Sequence, residues 1–505
     1  MKFRFKRSMN TLARTILLSL TSSVALAAPS SAALEYASAS ELSAMMVNNE
    51  LTSVALVQHL ITRIADLDKQ GPSLNAVIEM NSQALDIAAA MDDERAQGKS
   101  RGPLHGIPVL LKDNFDTADG MQTSAGSLAM VGQPAAQDAF TVKQLRDAGA
   151  ILLGKANMSE WSGMRDMSLP LGWSGRGGQG KNPHVLSEST CGSSSGPAAA
   201  VAAGFTPLAL GTETNGSISC PASANGVVGV KPTLGLFSRS GIVPITRLQD
   251  TPGTLTRTVR DAALLFNVMQ GIDVSDSATA DAPTGVDYTA LLSRNALRGK
   301  RIGYPIAYTG SHDTKLSPSL EMLVAMATLE EQGATLVPLT VRLPDIDDYI
   351  DGLMGGMKHE LPEYLASRQG MPINSLQALI DFNQANPGEE QHGQQMLEAI
   401  NASALSHQEA SVLITTISQN FKDAIDEQVR EHKLDALFAE SDGFSQFSAA
   451  TAGYPAITLP SGMSDDDTPT SVFFYGQPWS EPQLFAMAYS YEQASMELRY
   501  PRFKE

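Results

Sequence analysis

Cysteine is almost missing from this chain. Its 505 residues include two, Cys191 and Cys220, too few for a disulfide scaffold. Positive charge is also short. Lysine and arginine total 36 against 54 aspartates and glutamates, a formal net charge of −18. So acidic a surface disfavours nucleic acid and anionic membrane as partners. No stretch has metal-ligand spacing, so no metal or cofactor is implied. There is no internal repeat, and no linker clean enough to mark a domain boundary. What remains is an ordinary globular composition, 43% hydrophobic and 18% charged. Length by itself allows roughly two to four domains.

The N-terminus has a pattern of its own. Lys2, Arg4, Lys6, Arg7 and Arg14 precede a short apolar core, Thr15–Val24, and an A-x-A site at Ala25–Ala27. This reads as a secretory signal peptide over residues 1–27, with a secreted or periplasmic protein from residue 28 to 505. The apolar core is too short to span a bilayer.

From Leu74 to Met269 the chain alternates between strand and helix patterns, which indicates an α/β fold. Ile107–Leu111 is a continuous apolar run, as expected of a strand buried on both faces. Lys112 follows at its C-terminal end, where open α/β sheets place ligands. A salt bridge to Asp113 is the plainer alternative for that lysine. Leu353–Gln428 is mostly helical and carries no chemical motif; it caps or lines one side of a cleft.

The most informative stretch is Ser189–Thr233. Glu213 and Lys231 are its only charges. Gly, Ser, Thr and Ala dominate it, in two clusters, Gly192–Gly196 and Gly211–Ser219. Small residues let backbone approach backbone or a ligand. Two hydroxyl-bearing turns of this kind suit a serine site built largely from main chain. Both cysteines lie inside the run, so they either bridge the two turns or stay as buried thiols. Gly192-Ser193-Ser194-Ser195-Gly196 matches G-x-S-x-G, centred on Ser194. That reading needs a later acid and histidine, yet His312, His359, His392, His407 and His432 include none on a Gly-rich C-terminal loop. A serine can instead be activated by a neutral lysine, whose pKa burial would depress. The turn Thr214-Asn215-Gly216-Ser217 offers successive N–H groups for an oxyanion. It is also a glycosylation sequon, but a glycan there would block the site.

Here the residues carry a resemblance. CGSSSG (191–196), GTETNGSISCP (211–221), GVVGVKPT (226–233) and, upstream, IPVLLKDN (107–114) resemble the signature of the amidase-signature hydrolases. AGYPAITLPSG and AYSYEQAS resemble that family's C-terminal segments. The chain departs from the common pattern at Cys191, Ser195 and Asn215, which replace glycines, at Glu213 in place of aspartate, and at Ser219 in place of arginine. The absence of that arginine is shared with the peptide-amidase branch, which the chain also resembles in CGSSSG and GTETxGSIxCP.

The resemblance implies one large α/β/α domain with a central mixed sheet flanked by helices. It implies hydrolysis of a carboxamide to acid and ammonia, with Ser217 as nucleophile, Ser193 as bridging serine after a cis Gly192–Ser193 bond, and Lys112 as base. Backbone N–H groups of Thr214, Asn215, Gly216 and Ser217 would form the oxyanion hole, with Ser194 and Thr212 in support. The expected substrate class is C-terminal peptide amides. A broader acyl, aryl or fatty-acid amidase is the alternative, and a non-catalytic binding protein on the same fold is the alternative of another class. A tRNA amidotransferase component is disfavoured by the leader.

Overall fold

A computed structural model describes residues 31–371, 373–386, 392–441 and 443–505. The leader, residues 1–27, lies outside the described residues. The strands in chain order are β1 (Val77–Met80), β2 (Pro108–Lys112), β3 (Ile151–Ala156), β4 (Trp173–Ser174), β5 (Gly178–Gln179), β6 (Leu208–Glu213), β7 (Val228–Lys231), β8 (Thr251–Thr256), β9 (Arg301–Gly310), β10 (Thr314–Lys315), β11 (Thr335–Leu343), β12 (Ala436–Glu440), β13 (Ala456–Met463) and β14 (Pro469–Tyr475). Among the described residues, twelve of them form one sheet in the order β1-β3-β2-β6-β8-β7-β13-β14-β12-β9-β10, with β11 added on β9. β4 and β5 form a separate small hairpin. The sheet is mixed, with helices packed against it, the architecture expected from the strand–helix alternation.

β2 sits near the middle of its half of the sheet, parallel to both β3 and β6. Val109, Leu110 and Leu111 are fully buried, each contributing about 1.5–3 kcal/mol of hydrophobic stabilisation. The helix Ser53–Leu67 is capped by Thr52, whose side chain accepts from the Ala55 N–H. It turns Leu56, Val57, Leu60 and Ile64 into the main core. A second core lies under the helices Tyr349–Ser367, Leu376–Ala385, Gln395–Ala402 and His407–His432. These helices form the cap expected of the motif-free span.

Several elements escaped sequence reading, β8 and the helix Gly443–Thr451 among them. β8 (TPGTLT) carries a proline and a glycine, which normally break strands. It exists because it pairs antiparallel with both β6 and β7. Gly253 is required there, since a Cβ would meet Val230 O at 2.2 Å. The helix Gly443–Thr451 also had no local signal.

Candidate active site

Parallel pairing of β2 with β6 sets Leu111 opposite Leu210. Both strands therefore end at the same edge of the sheet, and Lys112 meets Thr212 there. Lys112 is fully buried. Its Nζ lies 2.7 Å from Ser193 Oγ, 2.8 Å from Thr212 Oγ1 and 3.2 Å from Thr212 O. It makes no ion pair with Asp113, whose carboxylate instead accepts from Ser124 Oγ and the Gly126 N–H and faces Arg176. Burial pulls the Lys112 ammonium down from 10.5 to about 7, against the attraction of Asp250 and Glu213. Asp250 is itself pushed up to about 7 by burial, which weakens its hold on the lysine's charge.

The two small-residue turns come together over this lysine. Ser193 N–H donates to Ser217 Oγ at 3.2 Å, and Ser194 N–H to Ser217 O at 3.1 Å. Ser194 Oγ donates to Thr212 O and accepts from the Thr212 N–H, so it ties the first turn to the end of β6. Close approach explains the glycines. A Cβ on Gly211 would lie 2.7 Å from Ser194 Oγ, and one on Gly192 would lie 2.6 Å from Pro221 Cδ. A disulfide joins Cys191 to Cys220, fastening the residue before Gly192 to the short helix Ser219–Ala224. Glu213 accepts from the N–H groups of Ile218 and Ser219, both at 2.8 Å, and from Ser219 Oγ. It thereby anchors the chain just after Ser217.

The expected cis Gly192–Ser193 bond is not found; the chain has no cis peptide bond among the described residues. Cys191 and Gly192 turn the chain instead, with left-handed φ of 52° and 53°. The Ser193 and Ser217 hydroxyls are not hydrogen-bonded to each other in this arrangement.

Thr214, Asn215, Gly216 and Ser217 line a cleft of about 490 Å³, together with Ser193. The N–H groups of Asn215, Gly216 and Ser217 have no acceptor among the described residues. Sequence reasoning missed several residues that hold this turn. Thr214 Oγ1 donates to Asp250 at 2.5 Å, Gln249 Nε2 donates to Thr214 O at 2.7 Å, and Asn215 Nδ2 donates to Tyr349 Oη at 2.8 Å. Asn215 and Tyr349 are 134 positions apart, and no local pattern marks either partner. Asp166 is the one side chain of formal charge lining the cleft among the described residues, and much of the remaining wall is apolar, including Met164, Leu353 and Phe447. No cluster of three His, Cys, Asp or Glu side chains that could hold a metal ion occurs among the described residues.

Residues 55–485 match the family model described as Amidase. A probable amidase of Arabidopsis thaliana is 36% identical, over 97% of this chain and 96% of the relative. The crystal structure of native peptide amidase from Stenotrophomonas maltophilia superposes with a TM-score of 0.86 at 42% identity, covering 94% of this chain and all of that one. Other relatives are a putative amidase of Schizosaccharomyces pombe, 34% identical over 94% of this chain and 87% of its own length, and a glutamyl-tRNA(Gln) amidotransferase component of Moorella thermoacetica, 31% identical over 92% and 97%. These relatives overturn the expected secreted or periplasmic location. Plant and fungal amidases and a glutamyl-tRNA(Gln) amidotransferase component give export no support, and the leader on which it rested lies outside the described residues. A family match over most of the length, with relatives well above 30% identity, gives one conclusion: the chain belongs to the amidase family.

Proposed function

We propose that the chain hydrolyses a carboxamide through Ser217, Ser193 and Lys112, with C-terminal peptide amides as the substrate class. The observation that carries the triad is Lys112. It is a fully buried amine, pulled down by burial to about 7 so that much of it is neutral at pH 7, 2.7 Å from Ser193 Oγ. A neutral amine has two N–H donors and one lone pair. Thr212 O and Thr212 Oγ1 take the two donors, which leaves the lone pair for the Ser193 hydroxyl. Thr212 thus positions the base.

In the reaction Lys112 draws a proton from Ser193, and Ser193 draws one from Ser217. The relay closes when Ser217 turns its hydroxyl from the Ser193 N–H to Ser193 Oγ. Ser217 Oγ attacks the carboxamide carbon. The N–H groups of Thr214, Asn215, Gly216 and Ser217 receive the oxyanion. Ser193 returns the proton to the departing ammonia, and water then releases the acid from Ser217. Ser194 supports the turn through its two bonds to Thr212. Residues 28–505 act as one amidase unit.

One feature favours a peptide amide, and a second favours a neutral amide over its acid. The structural neighbours include a peptide amidase held by the competitive inhibitor chymostatin. The cleft wall carries Asp166 and no cation among its described residues, so it repels a free C-terminal carboxylate and tolerates a neutral carboxamide. Ammonia release from a peptide amide, measured beside a fatty amide and an aryl amide, tests the class. Preference for the peptide amide is expected. Faster turnover of the fatty or aryl amide points to the broader acylamidase, and no turnover of any amide points to a binding protein.

A further inference from the structure

The peptide-amide reading leaves open how the cleft would recognise a peptide, and one side chain stands out. Gln446 lies on the helix Gly443–Thr451 and is 8% exposed. It lines the cleft. Its Nε2 is buried and has no hydrogen-bond partner among the described residues. Its Oε1 stands over the oxyanion turn, 3.4 Å from where a Cβ on Gly216 would be. A buried amide N–H left unpaired is costly, and native proteins retain few such groups. The neighbouring helix residues do not share this state. Ser448 Oγ donates to Phe444 O, and Thr451 Oγ1 accepts from Asn215 Nδ2.

A primary carboxamide offers one donor face and one acceptor face. A peptide unit offers the same pair, with its N–H and C=O. The two are complementary, whereas the alkyl chain of a fatty amide or the ring of an aryl amide offers neither. We propose that Gln446 is a specificity-determining residue whose side-chain carboxamide pairs with the main-chain peptide unit next to the scissile carboxamide. The proposal rests on the peptide-amide reading above. Gln446 reads the acyl part of the substrate, so its effect falls mainly on KM.

The test uses the purified full chain, unchanged and as Gln446→Leu and Gln446→Glu. Two substrates are compared by ammonia release. They are N-acetyl-leucinamide, which has the peptide unit, and 4-methylpentanamide, which keeps the leucyl carbon skeleton and lacks the acetamido group. Gln446→Leu is expected to lower kcat/KM for N-acetyl-leucinamide by about tenfold to a hundredfold, mostly through KM. It should change 4-methylpentanamide turnover less than about twofold, which also reports an intact fold and site. Gln446→Glu keeps an acceptor and loses the donor, so its preference for N-acetyl-leucinamide over 4-methylpentanamide should fall between those of the unchanged enzyme and Gln446→Leu. Equal losses on both substrates, or no loss on either, overturn the proposal. Should the unchanged enzyme fail to prefer N-acetyl-leucinamide, the substrate reading falls first and takes the proposal with it. A preference intact in the unchanged enzyme and undiminished in Gln446→Leu removes Gln446 alone.

Discussion

Replacing Lys112 by methionine separates what the lysine does for catalysis from what it costs the fold. The side chains are similar in length, but methionine has no amine to ionise. In the folded chain the amine takes up a proton only near pH 7, against 10.5 ordinarily. The unfolded chain accepts that proton throughout the interval, so folding is disfavoured there and stability rises with pH between about 7 and 10.5. At pH 7 the cost is about 4–5 kcal/mol. Methionine escapes it but forfeits the contacts to Ser193 Oγ, Thr212 O and Thr212 Oγ1, at about 1–3 kcal/mol for each buried group left unpaired. The two effects roughly offset at neutral pH. Their pH dependence does not, because the lost contacts do not titrate. Between pH 7.5 and 9.5 the unaltered chain should gain about 2.5 kcal/mol relative to Lys112→Met. Equilibrium denaturation of both proteins at the two pH values reads this difference directly. Parallel pH dependences would mean that Lys112 is held as a cation and cannot serve as a neutral base.

Three further outcomes follow from the same geometry. With Lys112 as base, kcat/KM should level off above about pH 7 and fall about tenfold per pH unit below it; a flat profile from pH 5 to 8 would contradict the role. Glu213→Ala strands the N–H groups of Ile218 and Ser219, so a loss of about 2–4 kcal/mol and a lower kcat are expected from denaturation and rate measurements. Reducing the Cys191–Cys220 bridge opens a loop with a separation of 29 residues, worth about 3–4 kcal/mol by chain entropy; a thermal midpoint indifferent to reductant, in protein shown by mass spectrometry to have been oxidised, would discount that contribution.

Much of the sheet was legible because its strands are short apolar runs between helices. Ile107–Leu111 pointed to β2 and to a lysine at its end, and the structure places the strand at Pro108–Lys112. The Gly/Ser composition of residues 189–233 located the two turns, and their likeness to the amidase signature is what singles out Ser217 in the proposed mechanism. Three things were not legible. β8 depends on partners on both sides to override its proline and glycine. Asp250, Gln249, Tyr349 and Gln446 reach the site from distant elements, and nothing adjacent to them in sequence resembles a site. The cis bond failed as an expectation because residues with positive φ, Cys191 and Gly192, reverse the chain on their own.

Ser217 is the attacking group in the proposed mechanism. The most direct measurement is covalent capture by a serine-reactive fluorophosphonate, followed by peptide mapping of the adduct. One adduct on Ser217 is expected. It should be absent in Ser217→Ala and formed far more slowly in Lys112→Met. An adduct on Ser193 or Ser194, or full amidase turnover by Ser217→Ala, would contradict it.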